Sequence, residues 1–292
     1  MYYYSLNEYL KNTFGEKVYK ISLDGGMTCP NRDGKIDTRG CIFCSRGGSG
    51  EFSADRNHSI TEQIREAKER IGRKTDCKKF IAYFQPFTNT YAPVEYLEKI
   101  FTEAIAPDEI VALSVATRPD CLPDEVIGLL SRLNKIKPVW VELGLQTVHQ
   151  STADYIRRGY PLSVYDDAVM RLHKEGISVI THIIIGLPNE TDDMIIESAR
   201  YAGECSDGIK LQLLHILKGT DLCDEYYKGN VSVLSLEKYT EILVKCLQAI
   251  PKTTVIHRLT GDGDKKILVA PLWSADKKRV LNYINKVLRE SE

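Results

Sequence analysis

SVITHIIIGLPNETDDMIIESARYAGECSDGIKLQLLHI, residues 178–216, sets two β-branched apolar runs on either side of a segment of a different period. The outer runs, 178–185 and 209–216, have the length and composition of strands. TDDMIIESARYAGE between them carries apolar residues three and four apart and begins with acids, which reads as a helix. A strand, a helix and a strand in succession form a parallel βαβ unit. Working outward, the same unit recurs. Strands are expected at 18–23, 80–85, 110–115 and 139–144, with helices in ITEQIREAKERI, APVEYLEKIFTEAI, PDEVIGLLSRL and VYDDAVMRLHKEG. Two more helices, SLEKYTEILVKCLQAI and SADKKRVLNYINKVLRE, flank TTVIHRL, which reads as a seventh strand or an extended segment. The fold class is therefore α/β, a full or partial (β/α) barrel of parallel strands, with a doubly wound sheet as the alternative. No linker, low-complexity tract or tandem repeat divides the chain. A single domain over residues 1–292 is expected, with a helical extension from about residue 235.

With 292 residues, 43% of them apolar, the chain can bury a sizeable core. No apolar run approaches the roughly 18 residues that span a bilayer, and MYYYSLNEYLKNTFGEK is too polar for a signal peptide. A cytoplasmic location, with no membrane partner, is expected. Eight cysteines there would be reduced, buried or metal-bound rather than paired as disulfides. A net charge of -1 supplies no global field to attract a polyanion, so a nucleic-acid partner would need a local basic patch.

In a barrel of parallel strands, chemistry gathers at the carboxyl ends of the strands. After the first strand comes CPNRDGKIDTRGCIFCSRGGSG, with Cys29, Cys41 and Cys44; QPFTNTY, TRPDC, ELGLQT, IGLP and LLHILKGT close the next five. Three thiolates suit a soft metal, whereas a closed zinc or iron–sulfur site takes four ligands. Cys121 is the plausible extra ligand on the same rim. Cys77 precedes a strand and belongs at the opposite end, and Cys205, Cys223 and Cys246 read as small apolar residues in or beside helices. A redox pair is the other reading of Cys41 and Cys44, but such a pair normally opens a helix, and here Gly47, Gly48 and Gly50 follow. On a four-iron cube, three cysteines leave one iron open to a small-molecule ligand.

These cysteines, spaced C-x11-C-x2-C after the first strand, resemble those of radical S-adenosylmethionine (radical SAM) enzymes. The commonest spacing there is C-x3-C-x2-C, and the wider one is similar to that of the elongator-like subgroup. More narrowly, KVYKISLDGGMTCPNRDG, GCIFCSRGGSGEF, YFQPFTNTYAP, TRPDCLPDEV, WVELGLQT, THIIIGLP, LLHILKGT and HRLTGDGDKKILVAPLWS resemble the YhcC/YtqA type over almost the whole chain. The resemblance implies a six-stranded partial barrel and a [4Fe-4S] cluster on Cys29, Cys41 and Cys44. It places the amino and carboxylate groups of S-adenosylmethionine on the fourth iron. An external one-electron reductant then drives cleavage to a 5'-deoxyadenosyl radical, which takes a hydrogen atom from substrate.

The same resemblance proposes cofactor contacts. QPFTNTY stands where related enzymes have a Gly-rich motif that receives the methionyl amino group, so Gln85, Thr88 and Asn89 are candidates. Gln146 matches a cofactor-contacting glutamine, and Arg158 a carboxylate-binding arginine. His182 falls where relatives place a polar residue near ribose and adenine; a satisfied histidine at a strand end is the alternative. Elongator-like relatives carry a glutamate before TRPD, where this chain has Ala116. Arg118 beside it either takes over that contact or pairs with Asp120.

The resemblance also implies transfer RNA as substrate, with conversion of a carboxymethylaminomethyl group at C5 of a wobble uridine to aminomethyl. An unpaired anticodon base is reachable without opening a duplex, and it needs an aromatic or arginine platform. Tyr83, Phe87, Tyr91, Tyr160 and Trp273 are candidates. HRLTGDGDKK, with His257, Arg258, Asp262 and Lys265, reads either as a loop that closes over the barrel mouth or as a turn, and the glycines of GGSGEF either let backbone amides approach phosphate or cofactor or only let the loop turn. Basic residues cluster from Arg65 to Lys79 and again from Lys277 to Arg289, interleaved with acids, as on a solvated helix face. A small-molecule substrate, a noncatalytic zinc module and an iron–sulfur electron carrier remain alternatives.

Overall fold

A computed structural model describes residues 2–48, 54–73, 75–261 and 263–290. Its strands, in chain order, are β1 (Val18–Leu23), β2 (Lys79–Phe84), β3 (Ile110–Thr117), β4 (Val139–Gln146), β5 (Ser178–Ile185), β6 (Gly208–Leu213), β7 (Ile216–Leu217), β8 (Val255–Arg258) and β9 (Leu268–Ala270). Seven of them form one sheet in the order β1-β2-β3-β4-β5-β6-β8, every neighbouring pair parallel. The sheet curls into a partial barrel, so the barrel expectation holds. Its strand count is seven rather than six, because Val255, Ile256 and Arg258 of TTVIHRL pair with Gly208–Lys210. The sixth expected strand stops early: the chain leaves the sheet after Leu213, and Ile216–Leu217 pairs antiparallel with β9.

The helices are α1 (Leu6–Phe14), α2 (Ile60–Gly72), α3 (Val94–Ile105), α4 (Asp124–Asn134), α5 (Gln150–Tyr155), α6 (Leu162–Lys174), α7 (Asp192–Cys205), α8 (Asp221–Tyr227), α9 (Leu236–Ala249) and α10 (Lys277–Glu290). Several begin where side chains answer free backbone N–H groups. Ser59 and Glu62 cap α2 reciprocally, and Thr191 accepts from the Met194 N–H at the start of α7. The outward strand residues pack with the helices in one apolar core that includes Leu23, Phe84, Phe101, Leu143 and Leu211. Among the described residues no helix is long and apolar enough to cross a membrane.

Side chains alternate along a strand, so the inward residues of a curled sheet stack in layers. At the amino-terminal end, Val18, Ile81, Ala112, Trp140 and Ile180 pack against Leu10 of α1. The helix α1 thus plugs the floor of the barrel, a role for the polar N-terminal stretch that its sequence did not announce. Two residues further along the strands, the interior turns polar. Lys20, Tyr83, Ser114, Glu142, His182 and Lys210 meet there through direct contacts. A third level, next to the loops, carries Ser22, Gln85, Ala116, Gly144 and Gln212.

Candidate active site

A cavity of about 420 Å³ opens at the carboxyl ends of the strands. Cys29, Cys41 and Cys44 all line it. Their loop is tied down by two neighbours that the sequence reading passed over. Asn31 donates from Nδ2 to the Arg157 carbonyl at 2.7 Å and to the Cys41 sulfur at 3.4 Å. Arg32 donates from Nη2 to the carbonyls of Cys44 and Ser45 at 2.8 and 2.5 Å. Burial, reinforced by Cys44, pushes the Cys41 thiol up to about 12, so it stays protonated until a cation or metal draws the proton off. Cys121 stands apart. It is buried beside a second space of about 650 Å³ with Tyr91 and Lys35, and its thiol is also pushed up to about 12 by burial and Asp120.

Gln146 and Arg158 line the same cavity, and Asn31 ties the cysteine loop to the Arg157 and Arg158 carbonyls. Gln146 ends β4 with φ of 70°, a left-handed backbone that a non-glycine residue adopts at a cost. Its Oε1 is buried without a partner. A Cβ at Gly144, two residues earlier, would lie 2.8 Å from the Gln146 amide nitrogen, so the Gln146 amide would have to shift to admit a side chain there. Arg158 is 2% exposed; its Nε donates to the Tyr160 carbonyl, and its Nη1 to the carbonyls of Leu145 and Thr147. Its Nη2 is left buried and unanswered, and burial lowers its pKa. Arg158 is thus a cation without a carboxylate, at a cavity.

The other expected contacts divide. Gln85 and Thr88 line the cavity, Gln85 donating to Ser22 Oγ at 3.0 Å. Asn89 does not line it: its amide donates to the carbonyls of Pro86 and Ala116 at 2.9 Å each, holding the loop after β2. Arg118 pairs with Asp120 at 2.7 and 2.9 Å and donates to the Arg158 carbonyl, so it supports the wall through its partners. His182 faces inward, bonded through Nε2 to Glu142 at 2.8 Å. Burial and the nearby Lys210 ammonium lower its pKa to about 4, so the ring is neutral at pH 7.

Of the aromatic candidates, Tyr83, Phe87 and Tyr160 line the cavity. Tyr160 is sandwiched with the guanidinium groups of Arg118 and Arg158, and Phe87 lies 5.5 Å from that of Arg32. Trp273 packs on Tyr239 away from it. In HRLTGDGDKK, Arg258 and Asp264 reach the cavity, His257 is half-buried with its ring edge-on to Trp140, and Lys265 is exposed; Asp262 lies outside the described residues. The same holds for Lys74 and for residues 49–52 of GGSGEF. Lys78 precedes β2 and Lys79 opens it, at the end opposite the cysteines, and Lys68 pairs with Glu109.

The residues that sequence reasoning missed are Lys20, Ser114, Glu142 and Lys210, the charged middle layer. Glu142 is buried and accepts from Lys20 Nζ at 2.5 Å, Ser114 Oγ at 2.7 Å, His182 and Lys210. The Lys20 and Lys210 ammonium groups, with the His182 hydrogen bond, hold its carboxyl well below the usual range against the opposing effect of burial. A signal was present: VYKISL, VWVELG and IKLQLL each interrupt an apolar strand with one charge.

Comparison with known proteins fits this layout. Residues 38–202 match the Radical SAM superfamily and 206–290 the radical SAM C-terminal domain. The chain belongs to the radical SAM superfamily. The radical SAM match includes Cys41 and Cys44 and begins after Cys29. YtqA of Bacillus subtilis is 46% identical over 98% of this chain and 89% of its own length, and YhcC of Escherichia coli K12 is 35% identical over 96% and 90%. A tRNA uridine(34) acetyltransferase of Methanocaldococcus jannaschii is 25% identical over 56% of this chain and 30% of its own. Among solved structures, archaeal Methanocaldococcus infernus Elp3 with an N-terminal deletion shares the fold, with a TM-score of 0.66 and 18% identity, over 92% of this chain and 63% of that one.

As a radical SAM enzyme the protein uses a [4Fe-4S] cluster, S-adenosylmethionine and an external electron donor. The residues present fit that pair of groups. Although among the described residues no three His, Cys, Asp or Glu side chains are gathered closely enough to hold a metal, three thiols line the cavity, the number a cube with one open iron takes. The unanswered Arg158 Nη2 and Gln146 Oε1 beside it supply a cation and an acceptor for an amino acid moiety.

Proposed function

We propose that this radical SAM enzyme acts on transfer RNA, converting the carboxymethylaminomethyl group at C5 of a wobble uridine to aminomethyl. The observation that carries the reading is the similarity, over 171 residues, to a protein named for tRNA uridine 34. In this reading Cys29, Cys41 and Cys44 hold the cluster, Arg158 pairs with the methionyl carboxylate, and Gln146, Gln85 and Thr88 orient the rest of the cofactor. When bound, cluster and cofactor supply a hydrogen-atom acceptor strong enough for the C–H bonds beside the side-chain nitrogen. Phe87 and Arg32 offer an aromatic and guanidinium surface at the mouth for a splayed base. Taken to the amine, the change is a two-electron oxidation with hydrolysis: the carboxymethyl carbons leave as glyoxylate, and S-adenosylmethionine is the oxidant.

The test is anaerobic reconstitution with S-adenosylmethionine and reductant. Transfer RNA bearing the carboxymethylaminomethyl group should stimulate 5'-deoxyadenosine formation and lose that group, as read by nucleoside analysis. If such tRNA neither stimulates cofactor cleavage nor changes, the substrate assignment is wrong. Arg158→Ala is expected to weaken S-adenosylmethionine binding to cluster-loaded protein by about 2–5 kcal/mol, the range for stranding one member of a buried charge pair. Arg158→Lys, which keeps the charge and loses the fork, should recover part of it. Gln146→Ala should cost about 0.5–1.5 kcal/mol. Unchanged affinity in folded Arg158→Ala protein would remove that residue from the site.

A further inference from the structure

The middle layer of the barrel holds more positive charge than its acid can answer. Two ammonium groups, Lys20 and Lys210, converge on one carboxylate, Glu142, with side chains only 17% and 6% exposed. Glu142 has no capacity left, since its two oxygens already accept from Lys20, Lys210, Ser114 and His182. Lys210 has three N–H donors, and its partners are Glu142 and, at 3.3 Å, the Tyr83 hydroxyl. Lys210, Glu142, Tyr83 and His182 all line the cavity. Surplus charge on groups so buried is costly unless a function retains it.

We propose that Lys210, backed by Lys20, is the subsite for an anionic group of the substrate, a carboxylate that enters the cavity and reaches the polar layer. The assignment deepens the reading above and rests on it for the identity of the substrate: the carboxylate is that of the carboxymethylaminomethyl side chain.

The neighbouring groups register the same excess. Burial, Lys20 and Arg258 lower the Lys210 pKa to about 7 even though Glu142 opposes them. Lys210 and Arg258 help to depress His182, and Lys20 and Lys210 help to depress His257. A carboxylate arriving beside Lys210 would reverse this field and favour its charged form, so anion binding and protonation of Lys210 reinforce one another. The cofactor does not supply that anion in this arrangement, because Arg158 stands on the wall for the methionyl carboxylate. The subsite also gives selectivity. An amine product lacking the carboxylate would strand the ammonium and add a second cation beside it, which favours its departure.

The experiment has two arms on cluster-loaded protein with S-adenosylmethionine. In the first, thermal unfolding is followed at constant ionic strength in 50 mM acetate (roughly tenfold above a weak fragment Kd) or in the same concentration of acetamide, a neutral probe of the same size. Acetate should raise the midpoint of the wild type by about 2 °C over acetamide, and of Lys210→Met not at all. No difference in the wild type overturns the subsite. In the second arm, binding is measured for two anticodon stem-loops that differ only in carrying carboxymethylaminomethyl or aminomethyl at the wobble uridine. The wild type should prefer the first by about ten- to a hundredfold, and Lys210→Met should lose the preference. Equal binding by the wild type, or a preference retained in Lys210→Met, overturns the proposal. If acetate acts through Lys210 but neither stem-loop binds, the anionic subsite stands and the tRNA reading fails. Should Lys210→Met not fold, the wild-type comparisons alone decide.

Discussion

Protein with Cys29, Cys41 and Cys44 all changed to alanine is expected to leave anaerobic reconstitution with essentially no iron, against about four irons per chain for the wild type. The three thiols line the same cavity, in a loop held by Asn31 and Arg32. The remaining cysteines are poorly placed to substitute. Cys77 lies at the far end of the sheet against the Lys17 and Lys79 carbonyls, and Cys223 and Cys246 are buried within helices. Cys121 faces another space, so Cys121→Ala should keep its iron, sulfide and visible absorbance. Iron and sulfide retained in the triple variant, or lost in Cys121→Ala, would require a different ligand set.

Glu142→Gln is expected to destabilise the fold by about 3–5 kcal/mol in urea denaturation, the range for breaking a buried ion pair. Its shape is kept, but Lys20 and Lys210 lose the charge that offsets their burial. Lys210→Met in the same chain removes one stranded ammonium and should return part of the loss, which a merely steric effect of glutamine would not allow. The pH dependence has opposite signs for the two partners. Glu142 has a depressed folded pKa, so its contribution is present above the unfolded value of about 4.3 and is lost as pH falls through the folded one. Lys210 falls from 10.5 to about 7, so between those values the unfolded chain binds the extra proton and stability rises with pH. Lys210→Met should flatten that rise. A slope unchanged by the substitution would show that Lys210 is not buried as a disfavoured cation.

The strands and the outer helices were legible because their signals are local. Apolar alternation or a three-to-four spacing within ten residues marks an element wherever it packs, and α3, α4, α7 and α9 lie where that spacing put them. The order of strands followed from chain order, since parallel neighbours joined by helices have little freedom. That Cys29, Cys41 and Cys44 line one cavity was legible for a related reason: they lie in one glycine-bearing loop that follows a strand of the barrel.

The partners that strands bring together from afar could not be read that way. Lys20 and Glu142 are 122 residues apart, and Lys210 and Glu142 are 68 apart, yet each pair is in direct contact. Each charge alone looked like an interruption of a strand. Only the register of β1, β4 and β6 in a curled sheet sets them at one height inside the barrel. The same closure turned Asn89 away from the cavity and left Arg158 with one donor unanswered beside it. The periodicity of this chain determined its elements and the loop that carries the thiols. The tertiary structure decided which polar groups are buried together, because burial and pairing across strands depend on how the sheet closes rather than on any one segment.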